Sequence, residues 1–425
     1  MKIDLDYGKC GLSVDFEDHW NITVMEPEHV PGVANEWKTV KSALQNPYDS
    51  SPLRNLVSED SRVGIIFNDI TRATPNHVIL PAILDEIKHV PVENVTFFNA
   101  LGTHRENSEE ELRKIIPSQI VDNYRIVSNN CHDRETQSYV GKTIRGTDIY
   151  INAELMKCNT KILTGFIEPH FFAGFSGGGK AIMPGMAGLD TILRNHSARM
   201  IDDPYSTWGE IERNPIQQEI REIAEKVGAD FIVNVTMNND HAITGVFTGK
   251  LKSAHDAGCE FARGYAMKPV TEPFDIVVTT NSGYPLDQNL YQSVKGMSCA
   301  ARVVKNGGAI IIASECCDGI PNHGLYKDLL MEASNPEDIL NAVRQPGYYK
   351  QDQWEAQIQA LVQQKADVYV CSSCLSSNLL ESLMLQPCSD IKKTIEVLIE
   401  KYGPDTSICV LPQGPLTIPY IKIKK

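Results

Sequence analysis

The sequence predicts an α/β protein of two domains, each a largely parallel sheet flanked by helices. Three observations point there. At 425 residues the chain is longer than one hydrophobic core usually holds. Short runs rich in Val, Ile and Phe recur along it, with helical patterns between them, which is the alternation that builds parallel sheets. With 42% hydrophobic and 22% charged residues, the chain has the composition of folded domains rather than of disorder.

The strand-like runs, in order, are VGIIF at 63–67, VTFF at 95–98, KILTGFI at 161–167, FIVNV at 231–235, DIVVTT at 275–280, AIIIAS at 309–314, DVYVC at 367–371 and SICVL at 407–411. Ser108 with Glu111 reads as a capping box, which makes the acidic run from Glu109 to Glu111 a solvated first helical turn. Asn335 and Pro336 read as a cap followed by Pro at the first helical position. The stretch KPVTEP at 268–273 separates a helical pattern from a new strand, so the domains are expected at 1–268 and 274–400.

Forty Lys and Arg against 54 Asp and Glu give a formal charge of −14. That excludes a general nucleic-acid binder, which needs a basic surface, but leaves room for a local anion site. No apolar run approaches the roughly 18 residues of a membrane span, and MKIDLDYGKC carries no signal-peptide core. The expectation is a soluble, cytoplasmic protein with no nucleic-acid or membrane partner. The eleven cysteines, odd in number and irregular in spacing, read as free thiols. Cys371 and Cys374 form one C-x-x-C, read as two small buried residues after a strand.

In open α/β sheets, ligands bind beyond the carboxyl ends of the strands. Just past these runs stand Asn68-Asp69-Ile70-Thr71-Arg72, then Gly102-Thr103-His104-Arg105, then Glu168-Pro169-His170, then Asn281 to Tyr284. Gly174 through Lys180 fits G-x-x-x-x-G-K, the start of a phosphate-cradling loop. The fit fails at Ala181, where a hydroxyl would hold magnesium, and at Pro184, where a helix should run. What survives is a loop that lets backbone approach a ligand and presents one lysine. His196 shares a helical face with Leu189, Ile192, Leu193 and Met200; it is a core histidine or, beside the glycine loop, an imidazole suited to nickel, zinc or iron. His104 and His170 each follow a strand, where an exposed imidazole serves as acid or base, and two on either side of one ligand suit a racemase. Arg72 and Lys295 are surface charges or anion holders, and Asp69 either orients a cofactor hydroxyl or caps the helix starting near Asn76. His77, His132 and His323 have no supporting context and read as structural or exposed.

Taken together, these residues resemble the lactate racemase family, enzymes that carry a nickel-pincer nucleotide. The resemblance rests on NDITR at 68–72, LGTHR at 101–105, GFIEPHFFAGFSGGGK at 165–180, PG at 184–185, NHS at 195–197 and GYPLDQNLYQSVKGM at 283–297, and covers nearly the whole chain. It implies that Lys180 holds the cofactor (nickel pyridinium-3-thioamide-5-thiocarboxylic acid mononucleotide) covalently and that His196 is the protein's Ni2+ ligand. It implies His104 and His170 as the acid/base pair, and Asp69, Ile70, Thr71 and Arg72 as cofactor contacts, with Arg72 also near the substrate carboxylate. Tyr291, Gln292 and Lys295 would bind substrate. The implied fold has the cofactor in an interdomain cleft and a tail, about 406–425, that returns to the first domain. The implied reaction is racemisation of lactate through hydride transfer and a pyruvate intermediate, with cofactor-maturation proteins as partners. Pro169 and Gly179 stand where some lactate enzymes have Ser and Arg, and are expected to bear on which 2-hydroxy acid is accepted.

Three other readings compete: a racemase or epimerase of malate, of a longer-chain or aromatic 2-hydroxy acid or of an aldonate; a degenerate P-loop nucleotide-binding protein; and a non-catalytic cofactor carrier.

Overall fold

The structure, a computed structural model, describes residues 1–321 and 324–422; His323 lies outside them. It separates into two compact units. One holds residues 29–196 and 203–264, and the other holds 1–28, 197–202 and 265–425.

Two six-stranded sheets form the cores. Their strands, in chain order, are β1 (Asn21–Val24), β2 (Val63–Asn68), β3 (Val95–Ala100), β4 (Arg125–Ser128), β5 (Thr160–Phe166) and β6 (Phe231–Met237). There follow β7 (Ile243–Gly249), β8 (Phe274–Thr280), β9 (Val304–Ala313), β10 (Ala366–Cys371), β11 (Gln386–Pro387) and β12 (Ser407–Leu411). Every apolar run singled out in the sequence forms one of these strands, KILTGFI and AIIIAS each running one residue past the strand's end.

The sheet of the 29–264 unit runs β7-β6-β5-β2-β3-β4, parallel except that β7 is antiparallel to β6. Its central strands are apolar on both faces because both faces are covered. On one side Ile65, Phe67, Phe97 and Val233 pack with Ile79, Leu80 and Ile83 of the helix Asn76–Glu86. Burying each such side chain contributes roughly 1.5–3 kcal/mol, which drives the layering. The capping box forms as read: Ser108 accepts from the Glu111 amide, and the Glu111 carboxylate accepts from the Ser108 amide.

The other sheet is parallel throughout, in the order β11-β10-β9-β8-β12-β1. Here the structure corrects two expectations. The tail does not return to the first domain: β12 lies between β8 and β1, with Ile408, Cys409, Val410 and Leu411 all fully buried. The first 28 residues also belong to this unit, since β1 forms its edge. The cause is pairing. SICVL has an apolar side chain on each face and ladder hydrogen bonds to satisfy on each edge, and only a position inside a sheet meets both demands. All eleven cysteines are free thiols. The pair expected to be buried is not: Cys371 is half-buried and Cys374 exposed.

Candidate active site

In the 29–264 unit, β5, β2 and β3 are adjacent, and the polar segments that follow them meet at one sheet edge. Past β2 the chain turns, the Arg72 amide bonding to the Asp69 carbonyl at 3.1 Å. That turn leaves the Ile70 side chain exposed and sends the Asp69 side chain inward, 3% exposed. Asp69 does not cap the following helix, whose cap position is Pro75. Its carboxylate instead accepts from Thr71 Oγ1 at 2.8 Å and from His104 Nδ1 at 2.7 Å, across from the end of β3. Burial pushes the Asp69 carboxyl up, but His104, Arg72 and Thr71 outweigh it and hold it below the ordinary carboxylate range. Because Asp69 is an ionised acceptor, Nδ1 of His104 carries the hydrogen and Nε2 carries the lone pair, the tautomer of a base oriented by a carboxylate. Arg72 reaches the other way, to Glu168 beyond β5, at 3.6 Å.

His170 follows β5 in a short antiparallel pairing with Gly174. Its Nδ1 accepts the Ala173 amide at 3.2 Å, so in the neutral ring the hydrogen sits on Nε2. The two histidines expected as an acid/base pair are therefore set in different tautomers: His104 carries its hydrogen on Nδ1, toward Asp69, and His170 carries its hydrogen on Nε2.

Phe172 gathers the remaining groups. Its ring centroid lies 4.6 Å from that of His170 and 4.9 Å from that of His196, with Lys180 Nζ 5.7 Å above it. The Phe172 carbonyl accepts from Asn214 Nδ2 at 2.8 Å, which anchors the segment. No α-helix begins at Lys180; Gly178–Ala181 form a single 3-10 turn and the next α-helix starts at Leu189, so the P-loop likeness stops at the loop. Gly174 has φ +77, and a Cβ there would run into the Glu210 carbonyl. Gly179 packs on the helix Pro215–Val227, where a Cβ would come within 3.1 Å of the Ile220 carbonyl. A larger residue at 179 would require that helix to give by a few tenths of an ångström.

The single helix expected around His196 is broken: Leu189–Asn195 ends at His196, its C-cap, and Ala198–Ile201 is a separate helix in the other unit. His196 is 3% exposed, and burial together with Lys180 holds its pKa well below the ordinary value, so the ring is neutral. Its Nδ1 lies 3.0 Å from Asn195 Oδ1. Asn195 is oriented by donating from Nδ2 to Glu219 Oε2 at 2.8 Å, and Glu219 Oε1 accepts from Thr143 at 2.7 Å. Nδ1 must then be the protonated nitrogen and Nε2 the lone-pair donor. A neutral imidazole with its tautomer fixed by a buried amide is what a transition-metal ligand requires, so the residues present fit such a group.

The sequence did not single out Phe172, Asn195, Glu219 or Asn214. Asn195 and Phe172 were within reach, since they stand in NHS and in GFIEPHFFAGFSGGGK; Glu219 and Asn214 are brought in by tertiary packing alone.

In the second unit, Tyr291, Gln292 and Lys295 lie on the helix Leu290–Ala301, capped by Asn289. Lys295 Nζ donates to Gln292 Oε1 at 2.5 Å, one turn apart. Tyr291 accepts from Trp354 Nε1 at 3.1 Å, so Trp354 joins this group from the helix Gln353–Lys365. Beside it Glu355 is 1% exposed with Oε1 unpartnered; burial pushes its carboxyl well above the ordinary range, with Lys295 pulling the other way.

Comparisons with known proteins agree with this architecture. The family model described as lactate racemase N-terminal domain matches residues 7–209, and that described as lactate racemase C-terminal domain matches 270–418. A lactate racemase of Thermoanaerobacterium thermosaccharolyticum is 35% identical over 417 residues, 97% of each chain. One of Lactiplantibacillus plantarum is 33% identical over 419 residues, 97% of this chain and 98% of that one. The lactate racemase apoprotein structure from T. thermosaccharolyticum superposes with a TM-score of 0.93 at 34% identity, covering 99% of this chain and 100% of that one. A Thermotoga maritima protein at 17% identity and TM-score 0.72, covering 93% of this chain and 100% of that one, shares the fold. With one fold along its whole length and both domain models matched, the chain belongs to the lactate racemase family, and is an isomerase of the racemase type.

Proposed function

We propose that this protein interconverts D- and L-lactate with a nickel-pincer nucleotide tethered to Lys180. The observation that carries the reading is His104, oriented by Asp69 at the carboxyl edge of the sheet whose neighbouring strand leads to His170. When bound, the cofactor supplies a reversible acceptor for the hydride on the substrate's α-carbon, so that the acid passes through planar pyruvate. This avoids direct removal of that hydrogen as a proton, which is far too weakly acidic for a histidine.

The chain's own residues do the rest. Lys180 is the attachment point, and Nε2 of His196, kept neutral and held by Asn195, is the nitrogen for nickel. Nε2 of His104 takes the substrate's hydroxyl proton, and Asp69 stabilises the resulting imidazolium. His170 is its counterpart on the other side, holding the substrate oxygen through Nε2–H. To take the hydroxyl proton in its turn it must carry its own hydrogen on Nδ1 instead and part from the Ala173 amide. Arg72, held toward Glu168, binds the carboxylate. Tyr291, Gln292 and Lys295 are the substrate-binding candidates of the other unit. The protein works in the cytoplasm, dependent on the proteins that build and insert the cofactor.

The test is a chiral assay on protein matured with cofactor-building enzymes and confirmed to contain nickel. L-lactate should appear from D-lactate alone. Conversion of another 2-hydroxy acid but not lactate would move the substrate and keep the chemistry, and a fully loaded Lys180→Ala protein would overturn the tether.

A further inference from the structure

We propose that His255 is a positioning residue for the loop that carries Lys180, holding that loop from behind through the Ser176 carbonyl and the underside of Gly178. His255 lies on the helix Leu251–Ala266 and is fully buried. Its Nε2 is 2.9 Å from the Ser176 carbonyl oxygen, so it donates there. Its Nδ1 is 3.1 Å from the Arg221 guanidinium, which can only donate, so it accepts there. Arg221 is in turn ion-paired with Asp256. The chain Asp256–Arg221–His255–Ser176 leaves the ring one tautomer and one orientation. Burial first, and then Arg221, lower its pKa to about 4, so the ring is neutral at physiological pH. The charged groups facing it are Arg221 from the helix Pro215–Val227, Asp256 from its own helix and Lys180 from the loop.

Packing makes the contact specific. Gly178 has φ +53, and a Cβ on it would stand 2.7 Å from His255 Cγ, so loop backbone rests directly on the imidazole. From the opposite side Asn234, a polar residue inside β6, accepts the Gly178 amide at 2.7 Å. Lys180 thus projects from a turn whose backbone is clamped at Ser176 and Gly178, so the point from which its side chain starts is fixed before any ligand arrives, which lowers the ordering cost of a covalent attachment.

The inference takes the role of Lys180 from the proposed function, but its first test does not depend on that role. Hydrogen exchange of the full-length apoprotein should report faster exchange over residues 176–182 in His255→Asn, by about tenfold for one lost buried hydrogen bond, and little change elsewhere. Gln places its amide nitrogen near the position of Nε2, so His255→Gln should restore slow exchange. Asp256→Asn, which loosens Arg221 without touching the loop, should give a smaller increase and serves if His255→Asn does not fold. Exposed to the cofactor-building proteins, His255→Asn should acquire the Lys180 adduct, read by intact mass, about tenfold more slowly than His255→Gln. Loop exchange in a folded His255→Asn equal to wild type, or no recovery in His255→Gln, would overturn the proposal. A wild-type chain that never gains the adduct would instead overturn the cofactor reading and leave the exchange result standing.

Discussion

His104 Nδ1 and Asp69 Oδ2 lie 2.7 Å apart, joining the segments that follow two neighbouring strands of one sheet. This pair places the hydrogen of neutral His104 on Nδ1 and leaves the lone pair on Nε2, the arrangement the proposed proton transfer uses. Asp69→Asn keeps the shape and removes the charge. We expect a folded, cofactor-loaded enzyme whose kcat is lower by about 10²–10⁴-fold, the usual worth of an oriented general base. Steady-state racemisation with adduct mass as the control checks it; wild-type kcat would mean Asp69 serves only to shape the turn.

Asn195 holds His196 by its Nδ1, and is itself held by Glu219. Asn195→Ala frees the ring to turn and to change tautomer. Partners of this kind are worth about 10–100-fold in metal affinity. The loaded variant should therefore lose nickel to a chelator faster than wild type by a similar factor, while intact mass shows the organic part still attached to Lys180.

Acid should destabilise the protein partly through His255. Its folded pKa of about 4 lies below the ordinary 6.5, so between those values the unfolded chain binds a proton that the folded one does not. The contribution is complete above pH 6.5 and is lost as the pH falls to about 4, a span of about 3 kcal/mol. Asp69, also depressed, acts at lower pH: its contribution is present above the unfolded value of 3.8 and is lost as the pH falls through the folded one. Urea unfolding of wild type and His255→Gln from pH 7 to 4 should show a shallower decline in the variant, and parallel declines would refute the assignment.

The placement of β12 makes a stability prediction. Val410 is fully buried between β8 and β1, so Val410→Asp puts an unpaired charge inside the sheet. The expected cost is about 3–5 kcal/mol, seen as a large fall in Tm or in soluble yield. A variant as stable as wild type would place the tail outside the sheet.

Strand positions and the edge where chemistry collects were legible in the sequence because both are local. An apolar run of β-branched residues has few ways to be buried, and polar residues just past it fall at the sheet's carboxyl end. Lys180, His196, His104 and His170 were singled out by that rule together with motif likeness. Asn234 left a faint trace as a polar residue inside FIVNV. His255 and Glu219 left none, since a buried polar residue on a helix resembles an exposed one until its partner is known.

The sequence by itself determined the α/β class, the order of strands along the chain and the helix caps at Ser108 and Asn335. Only the tertiary structure decided that the tail and the first 28 residues complete the second sheet, that Asp69 belongs to His104, that Asn195 fixes His196, and that His170 is set unlike His104. The physical reason is common to all four. Each depends on which hydrogen-bonding groups are buried together, and burial pairs partners that lie from one to several hundred positions apart, at distances no local pattern encodes.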